Sequence, residues 1–408
     1  MKKILLTLGV MLSAMGAWAQ TATTANLPSG FYRIKYAGSN TDAQGKYLTA
    51  PVNLPTENTP NQNWKAALSN DTSVDKSDMH TDVWYVENLG LGTGGNTTEV
   101  RYKIWCFRGG YGLATNPRPD VYGSYSNSNC PRLYRIMQVT TGETVTYAFS
   151  GHPNDNVSGQ SMGMGIASGA IGNKNYLSNT LDRTSGGSNN ATNSAVQWAF
   201  EQVDSTALQK SITIGSTGYA TFSCYATTRI PEGVTAYEVT AADNSTATLS
   251  ALSGTIPANT GVILKGTSGE TYDFVPTNGL GKGMRAVNLD GTLGDKVCAG
   301  NKLAASVAAT TLATGDYILV NKGDDTAALG RIGEDSGKEL AAGKAYLPAD
   351  AITAAEARDF LSFLQDGTQT GISGIAKTTA KDGTYIEGKR VVILKNGVKY
   401  NTLGQRIK

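Results

Sequence analysis

The chain has 408 residues, with 35 Lys and Arg against 33 Asp and Glu, 48 Gly and only two His. So even a charge balance excludes the concentrated positive charge with which nucleic acids and anionic membranes are bound. The glycine content and the scarcity of histidine describe a turn-rich β protein poorly equipped for acid–base catalysis, and the length predicts two or three domains.

Met1-Lys2-Lys3 followed by the apolar run Ile4 to Met15 and by Ala17-Trp18-Ala19 predicts a secretory leader over residues 1–19, cleaved before Gln20. The run is too short to span a bilayer core of about 30 Å. Cleavage removes Lys2 and Lys3 and leaves 33 basic against 33 acidic residues. The first cysteine is Cys106, so no lipid anchor is expected at the new N-terminus, and no later stretch is apolar enough for a membrane span. The expected location is secreted or cell-surface.

Residues 20–204 form the first predicted domain and contain a threefold echo. Its first pass reads Phe31-Tyr32-Arg33-Ile34, Lys46-Tyr47-Leu48-Thr49 and Trp84-Tyr85-Val86-Glu87; its second, Tyr102-Lys103-Ile104-Trp105, Tyr111-Gly112-Leu113-Ala114 and Tyr134-Arg135-Ile136. The third reads Val145 to Phe149, Asn175-Tyr176-Leu177-Ser178 and Trp198-Ala199-Phe200-Glu201. Leu48, Leu113 and Leu177 fall at intervals of 65 and 64. The closing triplets alternate with the period of half-buried strands, and three such copies predict a pseudo-threefold β-trefoil. On its YL and W-x-[VF]-E elements, the region resembles the ricin-type β-trefoil lectins and their relatives in exported Bacteroidota-type surface proteins. It departs from them where Thr49, Ala114 and Ser178 follow the central leucines in place of the lectins' sugar-binding Asp. The lectins' Gln-x-Trp becomes Asp82-Val83-Trp84 in the first repeat and an unspaced Gln197-Trp198 in the third.

Proteins hold sugars by packing aromatic faces on the ring and bonding its hydroxyls through amides and carboxylates. By that criterion Asn116, Asp120, Tyr122 and Tyr125 form the main candidate set, Asn179, Asp182 and Arg183 its third-repeat counterpart, and Trp64 the first-repeat contribution. The competing reading makes Tyr122 and Tyr125 packing residues beneath a long loop.

The second predicted domain, residues 207–366, shows short β-branched runs at Ser211 to Ile214, Tyr219 to Cys224, Val234 to Thr240, Thr248 to Leu252, Gly261 to Leu264 and Asp316 to Val320. Turn signals separate several of them at the spacing of a β-sandwich-like fold. The segment Ala351 to Leu364 reads equally as a helix or a closing strand. Gly218-Tyr219-Ala220-Thr221-Phe222, Ile256 to Leu264, Tyr317-Ile318-Leu319 and Gly343 to Pro348 resemble, in that order, a module of exported Bacteroidota-type proteins, which implies location and architecture but no reaction. A linker, 367–380, leads to 381–408, where Asn396-Gly397 marks a β-hairpin. This tail resembles the C-terminal segments of the same proteins, some of which are sorting signals. It is read as a sorting or attachment segment contacting the envelope or secretion machinery, or else as a structural cap.

Catalytic and metal chemistry find little support. His80 and His152 stand apart in polar loops, no Gly-x-Ser-x-Gly follows a buried strand, and the acids of the second region fall mostly in turns. Gly90-Leu91-Gly92-Thr93-Gly94-Gly95 reads as a glycine-rich hairpin, since no helix follows it. No cofactor or metal is expected. In an exported chain Cys106 with Cys130, and Cys224 with Cys298, are candidate disulfides, the first worth roughly 3 kcal/mol; buried free thiols are the alternative. The expectation is an all-β, non-catalytic exported surface protein that binds glycans through its trefoil, ahead of a structural or adhesive component and of a glycan-active enzyme.

Overall fold

The computed structural model describes residues 20–41, 43–54, 64–69, 78–91, 100–114, 120–123, 133–151, 194–287, 293–323, 325–333, 337–352, 358–365, 383–387, 390–395 and 398–400. The expected leader and linker lie outside them. The chain is nearly all β: among the described residues the only helical segments are short 3-10 turns, and no helix is long and apolar enough to cross a membrane. It divides into two compact units, one running to Phe363 and the other from Leu364 to Lys408.

The first unit opens with a twelve-stranded sheet. Its strands are β1 (Thr21–Thr24), β2 (Gly30–Tyr36), β3 (Tyr47–Thr49), β4 (Trp64–Lys65), β5 (Ala67–Ser69), β6 (Val83–Leu91), β7 (Val100–Cys106), β8 (Tyr111–Ala114), β9 (Asp120–Gly123), β10 (Tyr134–Thr141), β11 (Thr144–Gly151) and β12 (Trp198–Val203). Six of them, β2, β6, β7, β10, β11 and β12, pair antiparallel each with the next, and β12 returns to β2 with Trp198 opposite Tyr36. The sheet thus closes into a barrel to which each sequence repeat contributes two strands. Closure removes the unpaired edges between these six.

Alternate residues of the ring point inward, and Ile34, Trp84, Val86, Tyr102, Ile104, Tyr134, Ile136 and Trp198 are all fully buried in one core. Two of the polar side chains carried into that core are bonded to backbone: the Trp84 indole N–H donates to the Leu48 carbonyl at 2.8 Å, and the Tyr102 hydroxyl donates to the Ala25 carbonyl while accepting from the Leu27 amide. An unpaired group there would cost about 1–3 kcal/mol. The buried Asp82 carboxylate accepts from Arg33 at 2.7 Å.

The second body of this unit is built on a seven-stranded antiparallel sheet in the order Tyr219–Phe222, Val262–Lys265, Thr235–Ala242, Thr246–Ala251, Phe360–Gln365, Ala327–Arg331, Tyr317–Asn321. The predicted runs all appear, and Phe360–Gln365 settles that part of the ambiguous segment as strand, because it pairs with the strand Ala327–Arg331. Both faces of the sheet are covered. Val262 and Leu264 pack with Phe222 and Phe274, whereas Ile263 between them packs with Tyr317, Leu329 and Leu361 in a separate core. Two-sided burial is why this strand reads as a continuous apolar run and not as an alternation.

The first of those cores also contains Phe31, Val83 and Phe107 of the barrel. These occupy the outward positions of β2, β6 and the residue after β7, so one end of the barrel is buried by the second body. Met284 reciprocates by reaching into the barrel core, and the Gly109 amide donates to the Tyr225 carbonyl.

The second unit is a three-stranded antiparallel meander, Gly383–Glu387, Arg390–Lys395 and Val398–Tyr400. This corrects the expected two-stranded hairpin: the run from Tyr385 to Leu394 belongs to two strands, with Glu387 paired with Arg390 and Tyr385 with Val392. The second and third strands pair with Lys395 opposite Val398.

Candidate functional site

The candidates with described backbone lie on a ribbon beside the barrel. β9 pairs on one side with β8, setting Ala114, Leu113 and Gly112 opposite Asp120, Val121 and Tyr122. On its other side β9 pairs with β4, setting Lys65 opposite Asp120 and Trp64 opposite Val121. Directly opposed residues share a face of an antiparallel sheet. Across the ribbon the register thus aligns Lys65, Asp120 and Ala114 in one row and Trp64, Val121 and Leu113 in the next, and Leu113 is fully buried in the barrel core.

Trp64 is thus brought from the first repeat into the second repeat's candidate group, paired with Val121 between Asp120 and Tyr122. Short pairs such as Trp64–Lys65 carry no periodic signal that would have shown this. Asn116, Tyr125, Asn179, Asp182 and Arg183 lie outside the described residues, as do Cys130 and His152.

The outward barrel face beside these strands is a lattice of aromatic and charged side chains. Trp105 donates its indole N–H to Glu87 at 2.8 Å, with the Lys103 ammonium 5.9 Å from its ring centroid. Tyr47 donates to Glu201 at 3.0 Å, and Lys35, 3.4 Å from Glu201 and over the Tyr47 ring, has its pKa raised by the Glu201 charge. These groups satisfy one another, and the strand alternation on which the sequence reading rested leaves them outward.

The cysteine pairing is corrected in one case. Cys224 is buried in the core shared by the two bodies, where burial pushes its thiol pKa up, and Cys298 sits in a turn at φ 48°; both are free thiols. Cys298 is pushed up to about 11 by burial and by Glu238, to which it donates, so it is almost wholly protonated at neutral pH and a poor nucleophile. Cys106 is buried in the barrel core.

His80 packs edge-on against Phe107, with ring centroids 4.7 Å apart. Among the described residues, no group of three or more His, Cys, Asp or Glu is placed to hold a metal ion.

One concavity was not anticipated. A cleft of about 540 Å³ opens where the starts of β2 and β6, the end of β12 and the segment Pro276–Thr277 of the second body meet, lined by Ser29, Tyr85, Gln202, Asp204, Ser205 and Thr277 among others. In the sequence, Asp204-Ser205 reads only as a polar entry to the second region.

Compared with known proteins, the chain matches no family model, no curated protein and no solved structure.

Proposed function

We propose that this chain is an exported, non-catalytic surface protein whose front barrel is a β-trefoil that binds carbohydrate. The observation that carries the reading is the β8–β9–β4 ribbon, whose register brings the first-repeat strand Trp64–Lys65 alongside the second-repeat strand Asp120–Gly123. Aromatic, carboxylate and ammonium residues are types suited to holding a sugar. The trefoil reading is supported by the closed ring with two strands per repeat and by the intervals of the three leucines. The second body is read as sandwich-like from its sheet covered on both faces.

The test is a glycan array probed with the whole mature chain, residues 20–408. A fragment ending at 204 is unsuitable, because it would strip the cover from Phe31, Val83 and Phe107. Wild type retains at least one glycan at or below millimolar concentration, about −4 kcal/mol, and Tyr122→Ala loses it. Absence of any retained glycan would leave the barrel as a scaffold, the structural reading.

The C-terminal meander is read as a delivery or attachment segment, because it forms a compact unit of its own. Deleting residues 381–408 is expected to leave the melting temperature of the remaining protein within about 1 °C while changing where the protein accumulates. A fall of several degrees with unchanged location would show that the meander is needed for stability instead.

A further inference from the structure

We propose a second binding site, independent of the ribbon, in the cleft between the barrel and the second body, and that its ligand is a neutral saccharide. The cleft volume of about 540 Å³ falls in the roughly 300–1,000 Å³ range of small-molecule sites. Its wall joins an aromatic ring, Tyr85, to an amide, Gln202, a carboxylate, Asp204, and the hydroxyls of Ser29, Ser205 and Thr277, above a floor that includes Phe31, Val203 and Pro276. Among the described residues no Lys, Arg or His lines it, which disfavours phosphates and other anions, since these need donors with positive charge. What remains suited to it is a molecule with one apolar face and many hydroxyls.

The wall is held in place before any ligand arrives. Ser29 accepts the Asn88 amide through its hydroxyl at 2.9 Å, while Phe31 meets the Tyr85 ring edge-on at 5.1 Å. Phe31 is itself buried in the core shared by the two bodies, so the ring is braced by the junction that creates the cleft. Asp204 accepts from the Thr206 amide at 2.9 Å, and the Thr206 amide and hydroxyl hold its pKa down, keeping an ionised acceptor at the rim. Preorganised groups of this kind lose little ordering entropy on binding. The cleft exists only because the two bodies are packed together, which gives their fusion into one unit a functional consequence.

Ligand-observed NMR and calorimetry on the whole mature chain with glucose, galactose, N-acetylglucosamine and inorganic phosphate test this. At least one sugar is expected to bind wild type with a Kd of order 1 mM, and phosphate is not. Asp204→Asn and Gln202→Ala each weaken that sugar about tenfold, and Tyr122→Ala leaves it unchanged. Gln202 and Asp204 are exposed, and Asn caps a helical turn as well as Asp does, so both variants keep the fold. The proposal is overturned if no sugar binds, if phosphate binds and competes with the sugar, or if binding ignores both cleft variants. Loss through Tyr122→Ala alone would place the sugar on the ribbon; loss through the cleft variants alone would leave the ribbon reading without support.

Discussion

Replacing Trp84 by Ala is expected to cost about 4 kcal/mol, the range for removing a large aromatic side chain from a packed core. Trp84 is fully buried among the inward residues of the ring, and its indole N–H is bonded to the Leu48 carbonyl. Truncation therefore opens a cavity and also leaves that carbonyl without its donor. Melting temperature should fall by roughly 6 °C for a unit of this size. The matched control is Leu91→Ala on the same strand: Leu91 is 58% exposed, and its loss should stay within about 0.5 kcal/mol. Because Phe31, Val83 and Phe107 tie the barrel to the second body, Trp84→Ala should unfold both in one transition. Two separate transitions in a calorimetric scan would show that the bodies are independent.

Gly110→Ala is expected to destabilise the protein by about 3 kcal/mol through that junction. Gly110 follows β7 at φ +83°, where an L side chain is strained, and an added Cβ would sit 1.8 Å from Met284 Sδ and 3.0 Å from the Gly281 amide. Met284 can swing away, but it is 1% exposed and fills part of the barrel core, so moving it transfers the cost to its neighbours. Gly254→Ala separates the two causes: its φ of +71° carries similar backbone strain with nothing within 4 Å of the new Cβ. It should cost only about 1 kcal/mol. Urea unfolding of the two variants measures the difference, and equal losses would remove the packing argument at the junction.

The sequence by itself determined where many of the longer strands lie. Alternation in Phe31 to Ile34, Trp84 to Glu87 and Tyr102 to Trp105 reports the inward and outward sides of consecutive residues, and the regular return of the leucines shows the repeat. Such signals are local, because side-chain direction follows from neighbouring backbone angles alone. The tertiary structure alone decided which outward positions are covered, and why Phe31, Val83 and Phe107 are apolar despite facing out of the barrel. It also decided that Trp64 pairs with Val121, between Asp120 and Tyr122. It placed Phe360–Gln365 in a sheet where a helix was equally compatible, and set Tyr85, Gln202 and Asp204 around one cleft. Each of these depends on registry between segments distant along the chain, which is selected by the summed burial of many side chains and leaves no mark on the residues of any one segment.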